Sequence, residues 1–492
     1  MGVFTLAMIN VSAIVSLRGM PAESTYGLSS VFYYIFAAVF FLVPVSLVAA
    51  ELTTGWPQKG GVYRWVGEAF GKKWGFLAIW LQWIESTIWF PTVLTFAAVS
   101  LAFMGPGQRW DEALAANKWY VLIVVLCVYW AATLLNLRGM KTSAGVTKWG
   151  TIIGTIIPGA ILILLGLSYW AGGNPILLDM SWDKLIPDMS NFNNLVLAAS
   201  IFLFYAGMEM SAVHVKDVND PGRNYPLAIL ISAIITVLIF VLGTLAIGFI
   251  IPNSQINLVQ SLLISYDSYF SFFGLGWMNW ILALALAVGV LAQVTAWVGG
   301  PSKGLYQVGL AGNLPPVMQK RNKNNVQMGI LLIQGCIVTL LSIMFVIMPS
   351  VQSAYQIISQ LTIILYLIMY MLMFASGIYL RYREPNTPRT FRIPGGKTLG
   401  MWIVGGLLAS LAAFLVSFIP PNQITVGSNT MYIMLLVIGT FIFAGIPFII
   451  HVMAKPSWKR PVDPEDAFEP FGWEKTNGTH STVTPIHTIS HE

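Results

Sequence analysis

The sequence predicts an all-α membrane protein with about twelve transmembrane helices, and three observations predict it. Hydrophobic residues make up 56% of the 492 positions and charged residues only 9%, whereas soluble globular proteins carry about 25% charged residues. The chain contains about twelve apolar stretches of roughly 20 residues, the length that crosses a bilayer as a helix. Basic residues concentrate in alternate connections between these stretches, as the positive-inside rule requires of a multi-pass protein.

The apolar stretches define the predicted helices in chain order. They begin near residues 2, 30, 74, 119, 149, 194, 225, 277, 328, 354, 401 and 431. No basic region precedes the first stretch and no small-residue cleavage site follows it, so we expect it to remain as a span and not to be removed as a signal peptide. Leu17–Ser24 interrupts the apolar run between the first and second helices.

The charges orient the chain. Of the 26 Lys and Arg residues, 22 fall on the side of the N-terminus, Arg18 lies in the membrane, and only Arg109, Lys118 and Lys184 fall on the other side. This asymmetry predicts a multi-pass protein with both termini cytoplasmic. Topology accounts for the net charge of +6, which therefore does not indicate nucleic-acid binding.

The sequence divides into a transmembrane domain, residues 1–455, and a polar tail, residues 456–492. The tail contains His480, His487 and His491, three of the five histidines in the chain. Two interpretations stay open: a disordered, solvated tail, or a pH-sensitive plug over the cytoplasmic mouth that is released when the histidines gain charge. The apolar part of such a plug would be Phe468, Phe471 and Trp473.

The sixth apolar stretch contains a carboxylate. Glu209 lies two residues after Gly207 in an otherwise apolar run, and an ionised group at the bilayer centre costs roughly 2.5–3.5 kcal/mol even on insertion scales. The first stretch carries a comparable irregularity at Arg18-Gly19-Met20-Pro21, five segments earlier. Matching interruptions in two halves predict an inverted repeat with a binding site near the midplane. The alternative is that Glu209 pairs with another helix or sits near the surface.

Five short motifs carry a family resemblance. They are Glu209-Met-Ser-Ala-Val-His214, Asn219-Asp-Pro-Gly-Arg223-Asn-Tyr-Pro226, Gly300-Pro-Ser-Lys-Gly-Leu-Tyr306, Phe391-Arg-Ile-Pro-Gly-Gly-Lys397 and Phe418-Ile-Pro-Pro421. In this order and spacing, over about residues 2–455, the chain resembles the amino acid–polyamine–organocation transporters, most closely the bacterial glutamate/GABA antiporters. The resemblance implies a 5+5 inverted repeat with discontinuous helices 1 and 6 and two added C-terminal helices. It also implies a place in the plasma (inner) membrane and exchange of an amino acid for its decarboxylation product. Functional pairing with a cytoplasmic decarboxylase and a role in acid resistance are further implications.

The resemblance also assigns candidate substrate-binding residues. Glu209, Trp297, Tyr366 and Tyr370 match positions on the family's transport path, and Gly207 marks the break beside them. Two positions differ from the family pattern: this chain has Arg18 where the family has a tyrosine, and Gln293 where the family has a glutamate. The arginine-type relatives have a Gly-Ser-Gly break in the first helix where this chain has Ile14-Val15-Ser16.

The two departures act in the same direction, since one adds a positive charge and the other removes a negative one. We hypothesise that a site with Arg18 and Gln293 accepts an acidic amino acid in a more ionised form, held by bidentate hydrogen bonds. The alternative is that Arg18 snorkels to outer water or headgroups. Glu85, a second intramembrane acid, is either structural or functional. Trp297, Tyr366 and Tyr370 either gate the transport path or only pack the helices together.

The remaining motifs exclude several classes. The sequence contains no phosphate-binding Gly-x-x-x-x-Gly-Lys-Ser/Thr loop and no His-Glu-x-x-His, and its two cysteines, Cys127 and Cys336, lie in apolar runs. We therefore expect neither an ATP-driven pump nor a zinc protease, and no cofactor or metal. The predicted function is secondary antiport of small-molecule amino acids. The predicted partners are these amino acids and the membrane lipid that surrounds the protein. Proton-coupled uptake and, less favoured, a solute channel are the alternatives.

Overall fold

The computed structural model describes residues 2–105, 107–187, 196–211, 219–393, 400–421, 427–459 and 467–477. Regular structure in these ranges is helical, as predicted. The first half contains α1 (Val3–Ile14), α2 (Met20–Ser24), α3 (Ser30–Ala37), α4 (Val43–Gly55), α5 (Val62–Phe70), α6 (Lys72–Ala102), α7 (Gln108–Ala115), α8 (Lys118–Leu137), α9 (Met140–Thr151) and α10 (Ile157–Ala171). Single π-helical turns at Ala38–Leu42 and Ile152–Ile156 join α3 to α4 and α9 to α10.

The second half repeats this organisation and adds two C-terminal helices. It contains α11 (Ser200–Tyr205), α12 (Met208–Ser211), α13 (Pro221–Ile250), α14 (Ser261–Phe272), α15 (Asn279–Leu310), α16 (Met328–Ser342), α17 (Met344–Ile347), α18 (Val351–Arg383), the added helices α19 (Gly400–Val416) and α20 (Asn429–Met453), and a short α21 (Gly472–Asn477).

Nine helical spans among the described residues are long and apolar enough to cross a membrane. Three further segments complete the twelve predicted crossings: the interrupted first segment (α1 and α2), the interrupted sixth segment (α11 and α12) and the shorter helix α19. The all-α membrane architecture is therefore confirmed. The chain begins on one face of the bundle, here called the terminal face, which also carries α5 and α21. The opposite face carries α7 and α14.

The sixth segment is interrupted where the sequence predicts. Its helix stops after Tyr205, Ala206 is extended (ψ 152°), and Gly207 adopts φ 111°. A side chain is strained in that backbone region, so glycine permits the interruption. The helix resumes at Met208.

The first segment is interrupted as expected, but the interruption begins three residues before Arg18, at Val15. α1 ends at Ile14, and Val15 and Ser16 are extended, with ψ 118° and 116°. Of the expected break at Arg18–Pro21, Arg18 and Gly19 lie in the 3₁₀ turn that completes the interruption, whereas Met20 and Pro21 already belong to α2. Pro21 falls in the first turn of α2, where its missing N–H would have had no helical partner anyway.

The two interrupted segments run antiparallel. The first half of segment 6, α11, contacts the turn that leads into α2, whereas the second half, α12, contacts α1. Each half-helix therefore lies beside the opposite half of the other segment, as an inverted repeat requires. α6 packs against both α15 and α18 and lies at the centre of the bundle. α6 is buried on nearly every side, as expected of a helix whose residues are mostly apolar on all of its faces.

Candidate functional site

Glu209 is buried next to the break in segment 6 and is held by three donors. The Tyr366 hydroxyl lies 2.5 Å from Oε1, Gln82 Nε2 lies 3.0 Å from the same oxygen, and the Tyr370 hydroxyl lies 2.6 Å from Oε2. The side chain is 2% exposed. Glu209 therefore does pair with other helices, and its carboxylate ties α12 to α6 and α18.

The break itself is joined to this carboxylate through Tyr370. The Gly207 N–H donates to the Tyr370 hydroxyl at 2.9 Å, and that hydroxyl donates to Glu209. The rings of Tyr366 and Tyr370, four residues apart on α18, have centroids 4.6 Å apart. A Cβ atom at Gly207 would lie 3.2 Å from the Trp297 ring, so the indole packs directly on the interrupted backbone.

A small cavity lies between segments 1, 3, 6, 8 and 10, and its volume is about 30 Å³. This is the volume of about one water molecule, so the surrounding helices must move apart before an amino acid fits. Its polar lining consists of Ser16, Arg18, Glu85, Ser86, Gln293 and Tyr366, and its aromatic lining of Trp89, Phe204 and Trp297.

Arg18 is buried at the edge of this cavity and is 4% exposed. Its Nη1 donates to the Tyr355 hydroxyl at 2.9 Å, and its guanidinium carbon lies 5.3 Å from the Trp89 ring centroid and 5.5 Å from that of Phe204. Nε has no hydrogen-bond partner in the described part of the chain. The side chain points inward, so the snorkelling alternative is wrong.

The other departure from the family pattern also faces the cavity. Gln293 accepts from the Ser16 hydroxyl at 3.4 Å, which links α15 to the break in segment 1. Trp297, one helical turn further along α15, has its ring centroid 5.7 Å from that of Trp89.

The predicted site residues thus form two adjacent layers. Arg18, Gln293, Trp297 and Tyr366 line the cavity, and the second layer contains Gly207, Glu209 and Tyr370. Sequence reasoning missed Gln82, Trp89 and Tyr355. Tyr355 precedes Tyr366 by 11 residues, about three helical turns, so their shared face of α18 was available as a pattern.

The aromatic residues of the tail dock on α5 at the terminal face. Phe471 is fully buried, its ring centroid lies 5.5 Å from that of Tyr63, and the Arg64 guanidinium lies 4.5 Å from the Phe468 ring and 4.9 Å from the Phe471 ring. The Trp473 indole N–H donates to the Gly67 carbonyl at 3.0 Å. α5 in turn packs on α6, α15 and α18. His480, His487 and His491 lie outside the described residues.

A second cavity, of about 350 Å³, opens at the opposite face and contains two carboxylates. Asp111 of α7 is 5% exposed, and its Oδ1 has no hydrogen-bond partner among the described residues. Asp267 of α14 accepts from the Asn279 amide. Burial raises the pKa of both carboxyl groups.

Residues 1–443 match the family described as amino acid permease. The chain belongs to the amino acid permease family. It is therefore a membrane transporter and not an enzyme.

Individual relatives are similar over nearly the whole chain. An uncharacterized transporter of Legionella pneumophila is 40% identical over 452 residues, which are 91% of this chain and 96% of that protein. The glutamate/gamma-aminobutyrate antiporter of Lactococcus lactis subsp. lactis is 31% identical over 91% of this chain and 89% of its own length. Its counterpart in Lactococcus lactis subsp. cremoris is 32% identical over 92% and 90%. These similarities confirm the resemblance to glutamate/GABA antiporters.

Proposed function

We propose that this protein is a secondary amino-acid antiporter that exchanges glutamate, or a related acidic or neutral amino acid, for GABA or another amino acid. The observation that carries the proposal is the break in segment 6, where Gly207, Tyr370 and Glu209 are hydrogen-bonded together beside the cavity that Arg18 lines. Interrupted helices around a central site are how alternating-access transporters bind their substrates. The names of the two Lactococcus relatives support exchange of this kind.

The cavity chemistry supports an acidic or zwitterionic substrate. Arg18 is always charged and presents several N–H donors in a planar fork that matches a carboxylate. Its only hydrogen-bond partner among the described residues is the neutral Tyr355 hydroxyl. A substrate carboxylate would therefore meet a buried cation that no acidic side chain neutralises directly.

The proposed orientation places the terminal face in the cytoplasm of a bacterial cell, in the plasma (inner) membrane. The 22 basic residues predicted on that side support this orientation. A protease added outside intact right-side-out vesicles should leave the tail uncut. A cytoplasmic decarboxylase is the proposed functional partner, because it would consume the imported amino acid and produce the exported amine. Such a pair would serve acid resistance.

Proteoliposomes test the exchange. The purified protein is reconstituted, the vesicles are preloaded with glutamate, aspartate, glutamine, GABA or buffer, and uptake of each radiolabelled amino acid is measured from acid to neutral pH. Antiport predicts saturable uptake that needs an internal amino acid. Uptake into buffer-loaded vesicles driven by a proton gradient alone would instead identify a symporter, and uptake that neither saturates nor depends on the internal solute would identify a channel.

A further inference from the structure

Glu85 is a buried carboxylate that the Glu209 assembly does not use. It lies on α6, is 2% exposed and lines the small cavity. Its Oε1 has no hydrogen-bond partner in the described ranges. The residues one turn away on either side are both engaged, since Gln82 donates to Glu209 and the Trp89 ring lies 5.7 Å from that of Trp297. Glu85 therefore lines the cavity and carries an oxygen without a hydrogen-bond partner.

Glu209 cannot take the same role in this arrangement. Tyr366, Tyr370 and Gln82 already donate to its two oxygens, and Glu209 is not among the residues that line the cavity. Within the described part of the chain, Glu85 is thus the one carboxylate that lines this space. A ligand in the cavity meets Glu85 before it can meet Glu209.

Arg18 and Glu85 line the same cavity without pairing. No ion pair joins them among the described residues; Arg18 bonds instead to Tyr355, and its Nε is also without a partner. A buried charge without an opposite charge beside it is unfavourable, and here two groups of opposite sign line one cavity without pairing. A zwitterion whose carboxylate and ammonium reach the two groups would compensate both at once.

We propose that Glu85 is the subsite for the substrate's ammonium group, opposite Arg18, which receives a carboxylate. This inference rests on the proposed function and names the chemical class of substrate: a compact amino acid that carries both charges when it binds. A dicarboxylate or a monocarboxylate without an amino group meets Arg18 but leaves Glu85 without a partner. Glu85 therefore sets the preference for amino acids over simple carboxylates.

The test compares binding of an amino acid with binding of its analogue that lacks the amino group. The ligands are glutamate against glutarate, or GABA against butyrate, whichever amino acid the proteoliposome panel shows to be exchanged. Equilibrium binding to the purified full-length protein is measured for wild type and for Glu85→Gln. A hydrogen bond to a charged group is strong enough that its loss weakens binding about tenfold or more.

The expected result is a change of ratio. Glu85→Gln should raise the Kd of the amino acid about tenfold and leave the Kd of the analogue unchanged or lower, because the substitution also removes repulsion of a second carboxylate. A merely structural role would weaken both ligands in parallel. Parallel weakening, or no change in either Kd, would overturn the proposal.

Two further variants control the measurement. Glu23→Gln makes the same chemical change at another fully buried acid. Glu23 accepts a hydrogen bond from the Ser200 hydroxyl and does not line the cavity, so this variant should leave the ratio of the two Kd values unchanged. If Glu85→Gln does not purify as a monodisperse protein, Glu85→Asp keeps the charge and withdraws it by one methylene. It should then raise the Kd of the amino acid alone, and equal changes in both Kd values would contradict the inference.

If no amino acid in the panel is exchanged by wild type, the proposed function fails. If exchange occurs and the Glu85 variants keep the wild-type ratio, only this inference fails.

Discussion

At the scale of single residues, the site depends on hydrogen bonds that have few substitutes. Tyr366 and Tyr370 each donate their only proton to Glu209, so an acceptor-only group is required between them. An amide at this position offers one acceptor oxygen and two donors. The arrangement therefore predicts that transport is sensitive to changes that barely alter side-chain volume.

Glu209→Gln and Trp297→Ala should insert and purify as monodisperse protein but lose most amino-acid uptake. Glu209→Gln leaves one tyrosine without its acceptor, and Trp297→Ala removes the ring that packs on the Gly207 backbone. Uptake into proteoliposomes, normalised to reconstituted protein, measures the effect. Wild-type rates in both variants would mean that the site lies elsewhere, and failure of both to express would mean that the two residues are structural.

Arg18→Tyr should weaken an acidic amino acid more than a neutral one. The buried guanidinium pairs with no carboxylate of the described chain, and a charge-assisted hydrogen bond is worth about 1.5–3 kcal/mol. We expect the KM for glutamate to rise about tenfold or more and the KM for glutamine to change far less. Equal losses for the two substrates would contradict a role for Arg18 in recognising charge.

Asp111→Asn should stabilise the protein at neutral pH. Burial raises the folded-state pKa of Asp111, so the folded protein binds this proton more tightly than the unfolded chain does. Stability contributed by the group therefore increases as pH falls through the raised pKa and decreases when the group ionises. The apparent Tm of the variant in detergent should exceed that of wild type at pH 7, and this difference should shrink in acid.

Asp179→Asn is the matched control for that experiment. Asp179 is exposed, and hydrogen bonds from Ser181 lower its pKa, so the sign is opposite: its ionised form favours folding above the ordinary pKa and this contribution is lost in acid. Its Tm at pH 7 should not rise. A Tm increase of the same size in both variants would show that removing any negative charge suffices.

At the scale of helices, backbone contact between segments 5 and 8 is a test of the packing. A Cβ atom built on Gly289 of α15 would lie 2.4 Å from the Gly154 carbonyl oxygen in the π turn at Ile152–Ile156. Neither backbone can yield without separating the helices. The small residues of α15 therefore permit a close approach.

Gly289→Ala should destabilise the protein by about 1–3 kcal/mol, the usual effect of overpacking. Gly445→Ala in α20 is the matched control, because a Cβ there meets no atom of the described residues within 4 Å. It should leave the Tm unchanged or slightly raised, since alanine has the better helix propensity. Thermal unfolding of both variants in the same detergent measures the difference. Equal Tm values for the two variants would contradict the close approach.

The helices also show what the sequence could and could not predict. Their number and approximate starts follow from hydropathy, and the break in segment 6 follows from Gly207, which alone tolerates φ 111°. The exact position of the break in segment 1 could not be predicted in this way. Val15 and Ser16 adopt ordinary extended angles, which any residue type can adopt. The partners of Glu209 and Arg18 depend on how distant segments pack, so Gln82 and Tyr355 could be found only from the structure.

At the scale of the whole molecule, the tail is part of the folded terminal face. Phe471 is buried against α5, the Gly472 N–H donates to the Glu68 carboxylate at 2.9 Å, and Lys72 pairs with Glu474. Phe468, Phe471 and Trp473, the aromatic residues of the predicted plug, thus all contact α5. Whether histidine protonation moves them remains a prediction.

Deleting residues beyond Lys455 should extend transport toward neutral pH. Cationic histidines in acid would face the basic loops of the same side and be repelled by them, which would release the tail. Uptake against pH is measured for full-length and truncated protein. Superimposable profiles would mean that the tail does not gate transport and that any acid dependence belongs to the substrate or to the buried carboxylates.

The docked tail is also a tethered ligand. Seventeen residues, 454–470, separate the end of α20 from Phe471, and a covalent connection of about that length keeps a segment near its target at an effective concentration on the order of millimolar. A contact too weak to survive between separate molecules therefore persists within one chain. A free peptide of residues 467–477 would have to reach millimolar concentration to occupy α5 of a truncated protein to the same extent as the linked tail.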